Sequence, residues 1–454
     1  MARPPAALLV LSCLGAAVVL ASGAGGIRME LTHVDARGGY TAAERVRRAA
    51  AASRERLASM DAGAAGAGGR GGGAGVSAPV HWATRQYIAE YLVGSPPQRA
   101  EAIIDTGSDL VWTQCATCIR KVCAAQDLPY FNASRSSTFA AVPCRAAAAG
   151  GGTNRYCAAN GVHLCALDGS CTFLASYGAG GIIGALATDD FTFQSGAAVR
   201  LAFGCVSFAE LSPGSLHGAS GLIGLGRGRL SLPAQTGAAR FSYCLTPYFH
   251  NDGATSHLFV GAAATLSAAA GAVASMPFVE SPKDFPYSSF YYLPLLGLTV
   301  GEAKLPIPSS VFDLREAAPG FWLGGVVIDS GSPLTSLQRT AYEALSDELT
   351  RRLNASLVPP PGGDAGHIGV ELCVPRGDVG KVVPSLVLHF GGGADMALPP
   401  ESYWAPVSKS TACMVILEGG SRTIIGNYQQ QNLHVLYDVA GGRFSFQRAD
   451  CSKL

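Results

Sequence analysis

Two stretches of the sequence place an aspartate in the same setting. "AIIDTGSDLVWTQC" and "GGVVIDSGSPLTSL" each lead from an apolar triplet into an aspartate, a hydroxyl residue, a glycine and a second hydroxyl residue. These residues are Asp105, Thr106, Gly107 and Ser108 in the first copy, and Asp329, Ser330, Gly331 and Ser332 in the second. One copy is typical of an ordinary turn. Two copies 224 residues apart indicate duplicated halves that bring two carboxylates together for general acid–base chemistry.

A second pair of segments follows the two aspartate motifs. "GLIGLGRG" begins at Gly221, and "TIIGNYQQQNLHVLYD" begins at Thr423. In this order the four segments resemble the pepsin-like aspartic proteinases, from about Tyr87 to the C-terminus. The resemblance implies an all-β, bilobal fold with the active-site cleft between two lobes. A nucleotide-binding loop is the competing interpretation of "GLIGLGRGRL", but the Lys-Ser/Thr spacing of such loops is missing.

The resemblance predicts Asp105 and Asp329 as the catalytic pair. Two carboxylates within hydrogen-bond reach share one proton and titrate together at acidic pH, and aspartic proteases are the standard example. The ionised carboxylate takes a proton from water while the protonated one polarises the scissile carbonyl. Glycines 107 and 331 let the two turns approach closely. This mechanism needs no metal and no cofactor.

The resemblance also assigns roles around this pair. Thr106 and Ser330 are expected to cross-link the two loops, while Ser108 and Ser332 bond the outer carboxylate oxygens. "LASYGAGG" is expected to form a mobile flap over the substrate, with Tyr177 and Gly178 at its tip. Trp112 is expected to bond the flap tyrosine hydroxyl through its ring nitrogen. Three residues depart from the usual pattern and leave flap stiffness and substrate preference open: Ala179, Gly181 and Pro333.

The cysteines indicate an oxidising compartment and a branch of the family. Thirteen are present, and without Cys13 of the predicted signal an even number remains, typical of disulfides. "CATCIRKVC" lacks the following ligand pair of a zinc finger. The cluster from Cys115 to Cys171 resembles the insertion of the plant nepenthesin-like branch, without a saposin-like insert. That resemblance implies these pairings: Cys115–Cys118, Cys123–Cys205, Cys144–Cys171, Cys157–Cys165, Cys244–Cys451 and Cys373–Cys413.

The N-terminal region has the pattern of segments that are removed. Residues 1–23 predict a secretory signal cleaved near Gly23 or Ala24, because an apolar run follows a basic start. Residues 24–80 contain a capping box at Thr41 and Glu44, an Arg-rich helical stretch and a Gly-rich linker. Residues 27–76 carry eight arginines and five acidic residues, against 24 basic and 27 acidic residues from Ser77 onward. This predicts a basic propeptide over an acidic body; an ordinary solvated helix is the alternative.

The remainder of the chain is predicted to form two lobes, residues 81–256 and residues 257–454. Short runs of Val, Ile, Leu, Phe and Thr broken by Gly, Pro and Asn indicate strands, and "LSLPAQTG" and "QRTAYEALSDELTRRL" indicate helices. No later segment is apolar for long enough to anchor the chain in a membrane. A net charge of +1 with 14% charged residues argues against nucleic-acid binding.

These observations predict a secreted monomer that cleaves peptide or protein substrates as an acid endopeptidase made as a zymogen. The destination is the apoplast, or alternatively the vacuole, and the C-terminal Ser-Lys-Leu is taken as chance, since export acts first. Two sequons predict glycosylation at Asn132 and Asn354. The alternative function is a secreted binding protein that resembles the plant xylanase inhibitors and has lost catalytic geometry. The presence of both aspartates, Tyr177 and Trp112 favours the enzyme.

Overall fold

The computed structural model of the protein describes most of the chain. The described residues are 26–36, 39–66, 86–118, 122–145, 154–158, 163–194, 196, 198–247, 255–267, 271–361 and 370–454. The expected signal at 1–23, its cleavage site and most of the Gly-rich linker lie outside these residues. Within them, no helix has both the length and the apolar character needed to cross a membrane.

Strands dominate the described residues, as the sequence predicts. The strands of the first half are β1 Ile27–His33, β2 Tyr87–Val93, β3 Gln98–Asp105, β4 Trp112–Gln114, β5 Ala140–Ala141, β6 His163–Cys165, β7 Cys171–Tyr177, β8 Gly180–Thr192, β9 Ala198–Leu211, β10 Gly221–Gly224, β11 Arg240–Cys244 and β12 Ser256–Val260. Those of the second half are β13 Ala274–Pro277, β14 Leu295–Val300, β15 Ala303–Lys304, β16 Leu314–Ala318, β17 Phe321–Gly324, β18 Val326–Ile328, β19 Thr335–Leu337, β20 Cys373–Pro375, β21 Leu386–Phe390, β22 Ala394–Leu398, β23 Trp404–Pro406, β24 Thr411–Met414, β25 Ile416–Glu418, β26 Thr423–Ile425, β27 Leu433–Asp438 and β28 Arg443–Arg448. The α-helices are α1 Ala42–Gly66, α2 Leu232–Gln235, α3 Arg339–Leu353 and α4 Val379–Val382.

A 15-stranded sheet connects the two halves of the chain. Its order is β13-β28-β27-β11-β12-β1-β2-β3-β10-β4-β9-β8-β7-β6, with β5 paired to β8. Strands of the two halves meet where β11 runs antiparallel to β27. Strands of the second half also form smaller sheets, including the four strands β18-β26-β19-β25 that carry the second aspartate motif. The first aspartate strand, β3, thus belongs to the 15-stranded sheet, and the second, β18, belongs to a separate four-stranded sheet.

The segment before the main body is built into the 15-stranded sheet. Strand β1 pairs with β12 on one side and with β2 on the other, and its side chains alternate between buried and exposed. Helix α1 then crosses the molecule and packs against β7, β17, β19 and β23. The capping box forms as predicted: Thr41 N donates to Glu44 Oε2 at 2.7 Å, and Glu44 N donates to Thr41 Oγ1 at 3.3 Å. It satisfies two N–H groups at the helix start.

Each aspartate strand has a parallel partner with a glycine at its end or directly after it. Strand β3 runs parallel to β10, which places Gly224 beside Asp105, and β18 runs parallel to β26. The fit is too close for a side chain: a Cβ on Gly224 would lie 2.3 Å from the Asp109 carbonyl carbon, and one on Gly426 would lie 2.4 Å from that of Leu334. The apolar-apolar-Gly segments are therefore strands that the aspartate loops wrap around.

The two predicted helices are confirmed. Helix α2 begins after Ser231, whose Oγ accepts from Ala234 N. Helix α3 begins after Gln338, whose side chain accepts from two N–H groups of the first turn. Its buried residues recur at helical spacing and face the core: Ala341, Tyr342, Leu345, Leu349 and Leu353. A single apolar stripe holds this helix on the sheet.

All cysteines from Cys115 onward form disulfides, but four of the expected pairings are wrong. Cys244–Cys451 and Cys373–Cys413 form as expected. The structure does not have Cys115–Cys118, Cys123–Cys205, Cys144–Cys171 or Cys157–Cys165. It has instead Cys115–Cys205, Cys118–Cys123, Cys144–Cys165 and Cys157–Cys171.

Strand packing explains the first exchange. Strand β4 runs parallel to β9 and places Thr113 beside Cys205, so the Cα atoms of Cys115 and Cys205 are 5.4 Å apart. Cys118 and Cys123 remain to pair locally. The second exchange occurs in one cluster of four sulfurs, where Cys144 Sγ also lies 3.8 Å from Cys157 Sγ. Sequence spacing cannot select between partners this close together.

Candidate active site

The first aspartate lies at the end of β3 in a turn that holds both of its oxygens. Asp105 is 1% exposed. Its Oδ1 accepts from Gly107 N at 3.0 Å, and its Oδ2 accepts from Ser108 Oγ at 2.5 Å. The turn thus fixes the carboxylate in one orientation.

The second aspartate has the same environment. Asp329 follows β18 and is fully buried. Gly331 N donates to its Oδ1 at 2.8 Å, and Ser332 Oγ donates to its Oδ2 at 2.7 Å. The structure places Ser108 and Ser332 on matching carboxylate oxygens.

A symmetric set of hydrogen bonds joins the two loops. Thr106 N donates to Ser330 Oγ at 3.1 Å, and Ser330 N donates to Thr106 Oγ1 at 2.9 Å. Each hydroxyl also donates across the interface, from Thr106 to Ile328 O at 3.3 Å and from Ser330 to Ile104 O at 3.2 Å. Both side chains are fully buried. The two turns are therefore locked at a fixed separation.

Glycine at the third motif position makes this approach possible. A Cβ added to Gly331 would lie 2.2 Å from Asp105 Oδ1, and one added to Gly107 would lie 2.9 Å from Asp329 Oδ1. Each aspartate thus faces the glycine of the other loop, which brings the two carboxylates together as the sequence predicts.

An arginine from helix α1 occupies the position between the carboxylates. Arg56 Nη2 donates to Asp105 Oδ1 at 2.7 Å, and Arg56 Nε donates to Asp329 Oδ2 at 3.0 Å. Burial lowers the pKa of the guanidinium, but the two carboxylates more than reverse that effect and raise it. The charge of Arg56 is thus stabilised by both members of the pair.

The electrostatics of the pair follow from burial. Burial raises the pKa of Asp105 to about 6; the charge of Arg56 lowers it, and that of Asp329 raises it. Two neighbouring carboxylates in a site shielded from water disfavour double ionisation. Removal of Arg56 would therefore take away the positive charge that offsets the negative charge of the two carboxylates.

The predicted flap lies over helix α1. Tyr177 ends β7 and is half-buried, and Gly178 packs so closely that a Cβ there would lie 2.8 Å from the Glu55 carbonyl. A cavity beside Arg56 is lined by Ile103, Trp112, Tyr177 and Leu222, among others. The helix therefore lies between the flap and the aspartates.

The expected Trp112–Tyr177 hydrogen bond is not formed. The two rings contact each other with centroids 6.0 Å apart and planes tilted by 47°, and Trp112 Nε1 has no hydrogen-bond partner among the described residues. Burial and the charge of Asp105 raise the pKa of the tyrosine hydroxyl, and the Trp112 side chain lowers it by a smaller amount.

The three departures from the usual pattern lie at the flap and behind the second aspartate. Ala179 O accepts from Ser212 N at 2.6 Å, and Pro333 O accepts from Tyr428 N at 2.9 Å. Gly181 pairs with Ser176 in the flap hairpin.

The predicted sequons lie elsewhere: Asn132 caps a short 3-10 helix, and Asn354 is exposed at the end of α3. Glycosylation of both stays a prediction.

Sequence analysis did not single out several residues of the site. Arg56 was one of eight arginines in a basic segment, and only the tertiary fold distinguishes it. Gln86 contacts Gly331 O, and Asn427 Nδ2 donates to Ser330 O at 2.9 Å. The glycine segment that contains Asn427 was the available signal for that residue, whereas Gln86 had none.

Known proteins with similar sequences cover most of this chain. Family models described as "Xylanase inhibitor N-terminal" and "Xylanase inhibitor C-terminal" match residues 87–262 and 290–448. The chain is 33% identical over 431 residues to aspartic proteinase nepenthesin-1 of Nepenthes gracilis, which covers 94% of this chain and 90% of that protein. It is 32% identical over 482 residues to aspartyl protease 37 of Oryza sativa subsp. japonica, which covers 99% of both.

Solved structures agree with this placement at the level of the fold. The crystal structure of edgp matches with a TM-score of 0.63 at 18% identity, covering 81% of this chain and 92% of that one. Basic 7S globulin from soybean matches with a TM-score of 0.60 at 17% identity, covering 81% and 95%. Together with the sequence relatives, these matches confirm the bilobal fold. The chain belongs to the pepsin-like aspartic proteinase family, in its plant nepenthesin-like branch.

Proposed function

We propose that this protein is an acid endopeptidase that hydrolyses peptide bonds in protein substrates. The supporting observation is the joint binding of Arg56 by Asp105 and Asp329, at 2.7 Å and 3.0 Å, in a buried site where both carboxylates are oriented by matching hydrogen bonds. Both carboxylates face the same guanidinium, so they face one common space, and the proposed mechanism places its water there. This arrangement supports a two-aspartate mechanism.

The chemistry follows from the shared proton of the pair. The ionised carboxylate takes a proton from water as the water oxygen bonds to the scissile carbonyl carbon. The protonated carboxylate donates its proton to the carbonyl oxygen. The resulting diol collapses with cleavage of the C–N bond: the carboxyl that took the water proton gives it to the leaving nitrogen, and a diol hydroxyl returns a proton to the other carboxylate as the new carbonyl forms. The N–H and O–H donors from Gly107, Ser108, Gly331 and Ser332 hold the carboxylates in place without reorganisation.

We further propose that residues 24–80 form a propeptide that keeps the protein inactive at neutral pH. Arg56 occupies the catalytic pair, and α1 fills the space below the flap. Acidification protonates the carboxylates and removes their attraction for Arg56. The same proposal includes a signal at 1–23, secretion to the apoplast or vacuole, two lobes divided near residue 256, and action as a monomer.

A secreted binding protein is the second candidate function. Two observations favour it: the descriptions of the matching family models name xylanase inhibitors, and the solved structures with this fold include basic 7S globulin from soybean. In this alternative the cleft binds a partner and cleaves nothing. The paired carboxylates, which a binding function does not require, favour the enzyme.

One assay separates the two candidates. The acid-treated wild type and Asp105→Asn are incubated with a denatured protein at about pH 3 to 5, with and without pepstatin. Asp347→Asn is the matched control, since this carboxylate is exposed on α3. We expect activity in wild type and control, and its loss in Asp105→Asn and with pepstatin. Activity that survives the Asp105 substitution would contradict the two-aspartate mechanism, and no activity in any sample favours the binding protein.

A further inference from the structure

The backbone carbonyls of the two aspartates accept hydrogen bonds from different kinds of donor. Asp105 O accepts from the backbone N–H of Leu225 at 2.8 Å. Leu225 directly follows the glycine of the strand that crosses the first loop, and Asn427 has the same place after the glycine in the second half. The N–H of Asn427, however, donates to Ser332 O at 2.7 Å. The carbonyl of Asp329 is therefore left to a side-chain donor.

This donor is the amide of Gln430. The residue is fully buried at the end of a short 3-10 helix over 427–430. Its Nε2 donates to Asp329 O at 3.4 Å and to Ile425 O at 2.8 Å. Ile425 O also accepts from Asp329 N at 3.0 Å. One amide thus contacts the carbonyl of Asp329 and the carbonyl that binds its N–H, so it fixes the peptide groups on both sides of the aspartate.

Two tyrosines hold this amide in its orientation. The hydroxyl of Tyr243 donates to Gln430 Oε1, and the hydroxyl oxygens of Tyr243 and Tyr437 are 2.9 Å apart. All three side chains are fully buried. Tyr243 lies on β11 and Tyr437 on β27, the strands at which the two halves of the chain meet. The first half of the chain therefore sets the side chain that supports the second aspartate loop.

The tyrosine hydroxyls remain donors throughout the acidic range. Burial raises the pKa of Tyr243 and of Tyr437, and the charge of Asp329 raises both further. The other titratable groups that face Asp329 are Asp105 and, before processing, Arg56 of α1. A carboxamide does not titrate. A change in the pH profile that follows loss of the amide is therefore a change in the aspartate pair.

We propose that Gln430 is a positioning residue that holds the Asp329 loop in its reactive conformation, and that Tyr243 in turn holds Gln430. The effect on the reaction rests on the proposed function. Gly331 N and Ser332 Oγ reach the carboxylate of Asp329 only in this loop conformation. Hydrogen bonds to the ionised form lower the pKa of a carboxyl group. Loss of the amide therefore displaces the carboxylate and weakens the bonds that favour its ionised form.

The adjacent glutamine provides a matched control. Gln429 is 1% exposed; its Oε1 accepts from Thr335 N at 2.9 Å, and its Nε2 donates to Ser402 O at 3.1 Å. It thus makes the same kinds of hydrogen bond without contacting the aspartate loop. Gln430→Met and Gln429→Met each remove the amide and keep an unbranched side chain. A comparison of the two separates support of the aspartate from general stability.

The test measures kcat and KM of the acid-processed proteins on one quenched fluorescent peptide from about pH 2 to 6, together with their thermal unfolding midpoints. We expect Gln430→Met to lower kcat roughly ten- to hundred-fold with little change in KM. It should also raise the pKa of the acidic limb of kcat/KM by about half a unit or more. Gln429→Met should lose stability, because the N–H of Thr335 is left unsatisfied, but keep the wild-type pH profile. An unshifted profile in Gln430→Met, or an equal shift in Gln429→Met, overturns the inference.

Two milder variants keep the inference testable if Gln430→Met does not fold. Gln430→Glu has one O–H donor when protonated and none when ionised, so its kcat should approach that of wild type at about pH 3 and fall away from it as the pH rises. Tyr243→Phe keeps the ring and should raise the pKa of the acidic limb by a smaller amount. Its control is Tyr403→Phe, whose hydroxyl donates to Pro384 O at 2.6 Å. Wild-type pH profiles in both Gln430→Glu and Tyr243→Phe overturn the inference and leave the proposed function intact.

Failure of the proposed function has a different signature, because wild type then cleaves no peptide at any pH. The carboxyl pKa of Asp329 then decides on the inference; it is measured by NMR titration of protein labelled with carbon-13 at the aspartate carboxyls, with Asp329→Asn to assign the signal. A higher pKa in Gln430→Met than in wild type and Gln429→Met supports the positioning role. The same pKa in all three proteins overturns it.

Discussion

Arg56 of helix α1 donates from Nη2 to Asp105 Oδ1 at 2.7 Å, although the two residues are 49 positions apart in sequence. Asp329 receives the Nε of the same guanidinium. The segment that precedes the body of the protein thus supplies a cation to the residues predicted to be catalytic.

Replacing Arg56 should release the site. In the unprocessed protein, Arg56→Met leaves two buried carboxylates without their cation, which weakens the docking of α1. We expect activity at about pH 5 to rise roughly ten-fold or more before any chain cleavage. Arg54→Gln is the control, because this arginine is exposed on the same helix. If both unprocessed variants are as inactive as the unprocessed wild type, Arg56 does not block the site.

The pKa of Asp105 predicts a pH-dependent stability. Burial raises this pKa from 3.8 to about 6. The raised pKa contributes stability that is complete below the unfolded value and is lost as the pH rises through about 6. The cost of ionising the folded carboxyl is on the order of 2 to 3 kcal/mol. Asp105→Asn lacks this titration, so wild type should lose stability relative to it between about pH 4 and 7.

Thermal unfolding midpoints of the processed protein measure this difference. Removal of α1 takes away both the charge of Arg56, which lowers the pKa of Asp105, and part of the burial that raises it, so the comparison is made before and after processing. Asp347→Asn should follow wild type at every pH. A constant difference between wild type and Asp105→Asn across the range would refute the raised pKa.

The cross-link between the loops should be cooperative. Thr106→Ala removes the acceptor of Ser330 N, which costs about 1 to 3 kcal/mol for a buried N–H left unsatisfied. Ser330→Ala does the same to Thr106 N. We expect each to lower both stability and kcat/KM, and the double variant to lose less than the sum. Strict additivity in a double-mutant cycle would indicate that the two residues act independently. Thr340→Ala on the exposed start of α3 serves as the control.

The strand that crosses the first aspartate loop should tolerate no side chain. Gly224→Ala places a methyl 2.3 Å from the backbone of Asp109, and neither strand can move without breaking the pairing of β3 with β10. Overpacking of this kind costs about 1 to 3 kcal/mol or more, so we expect a lower unfolding midpoint and reduced activity. Gly377→Ala has no atom within 4 Å of the added Cβ and should behave as wild type. A fully stable Gly224→Ala would contradict the close crossing.

The local sequence determined which residues do the chemistry and which elements hold them. Four features each depend on neighbours a few residues away: the two Asp-Thr/Ser-Gly triplets, the apolar-apolar-Gly segments, the capping box at Thr41 and Glu44, and helix α3. Their side-chain pattern therefore predicts their structure. The family follows from the order of these motifs along the chain.

The tertiary structure decided the contacts between distant residues. Three contacts depend on elements that lie side by side only after folding. They are the arginine that reaches Asp105, the cysteine that pairs with Cys205, and the contact between Trp112 and Tyr177. Spacing along the chain carries no information about such neighbours when several candidates of the same type compete. Arg56 is the clearest case: the sequence shows one of eight arginines, and only the packing of α1 against the two aspartate loops brings its guanidinium to Asp105 and Asp329.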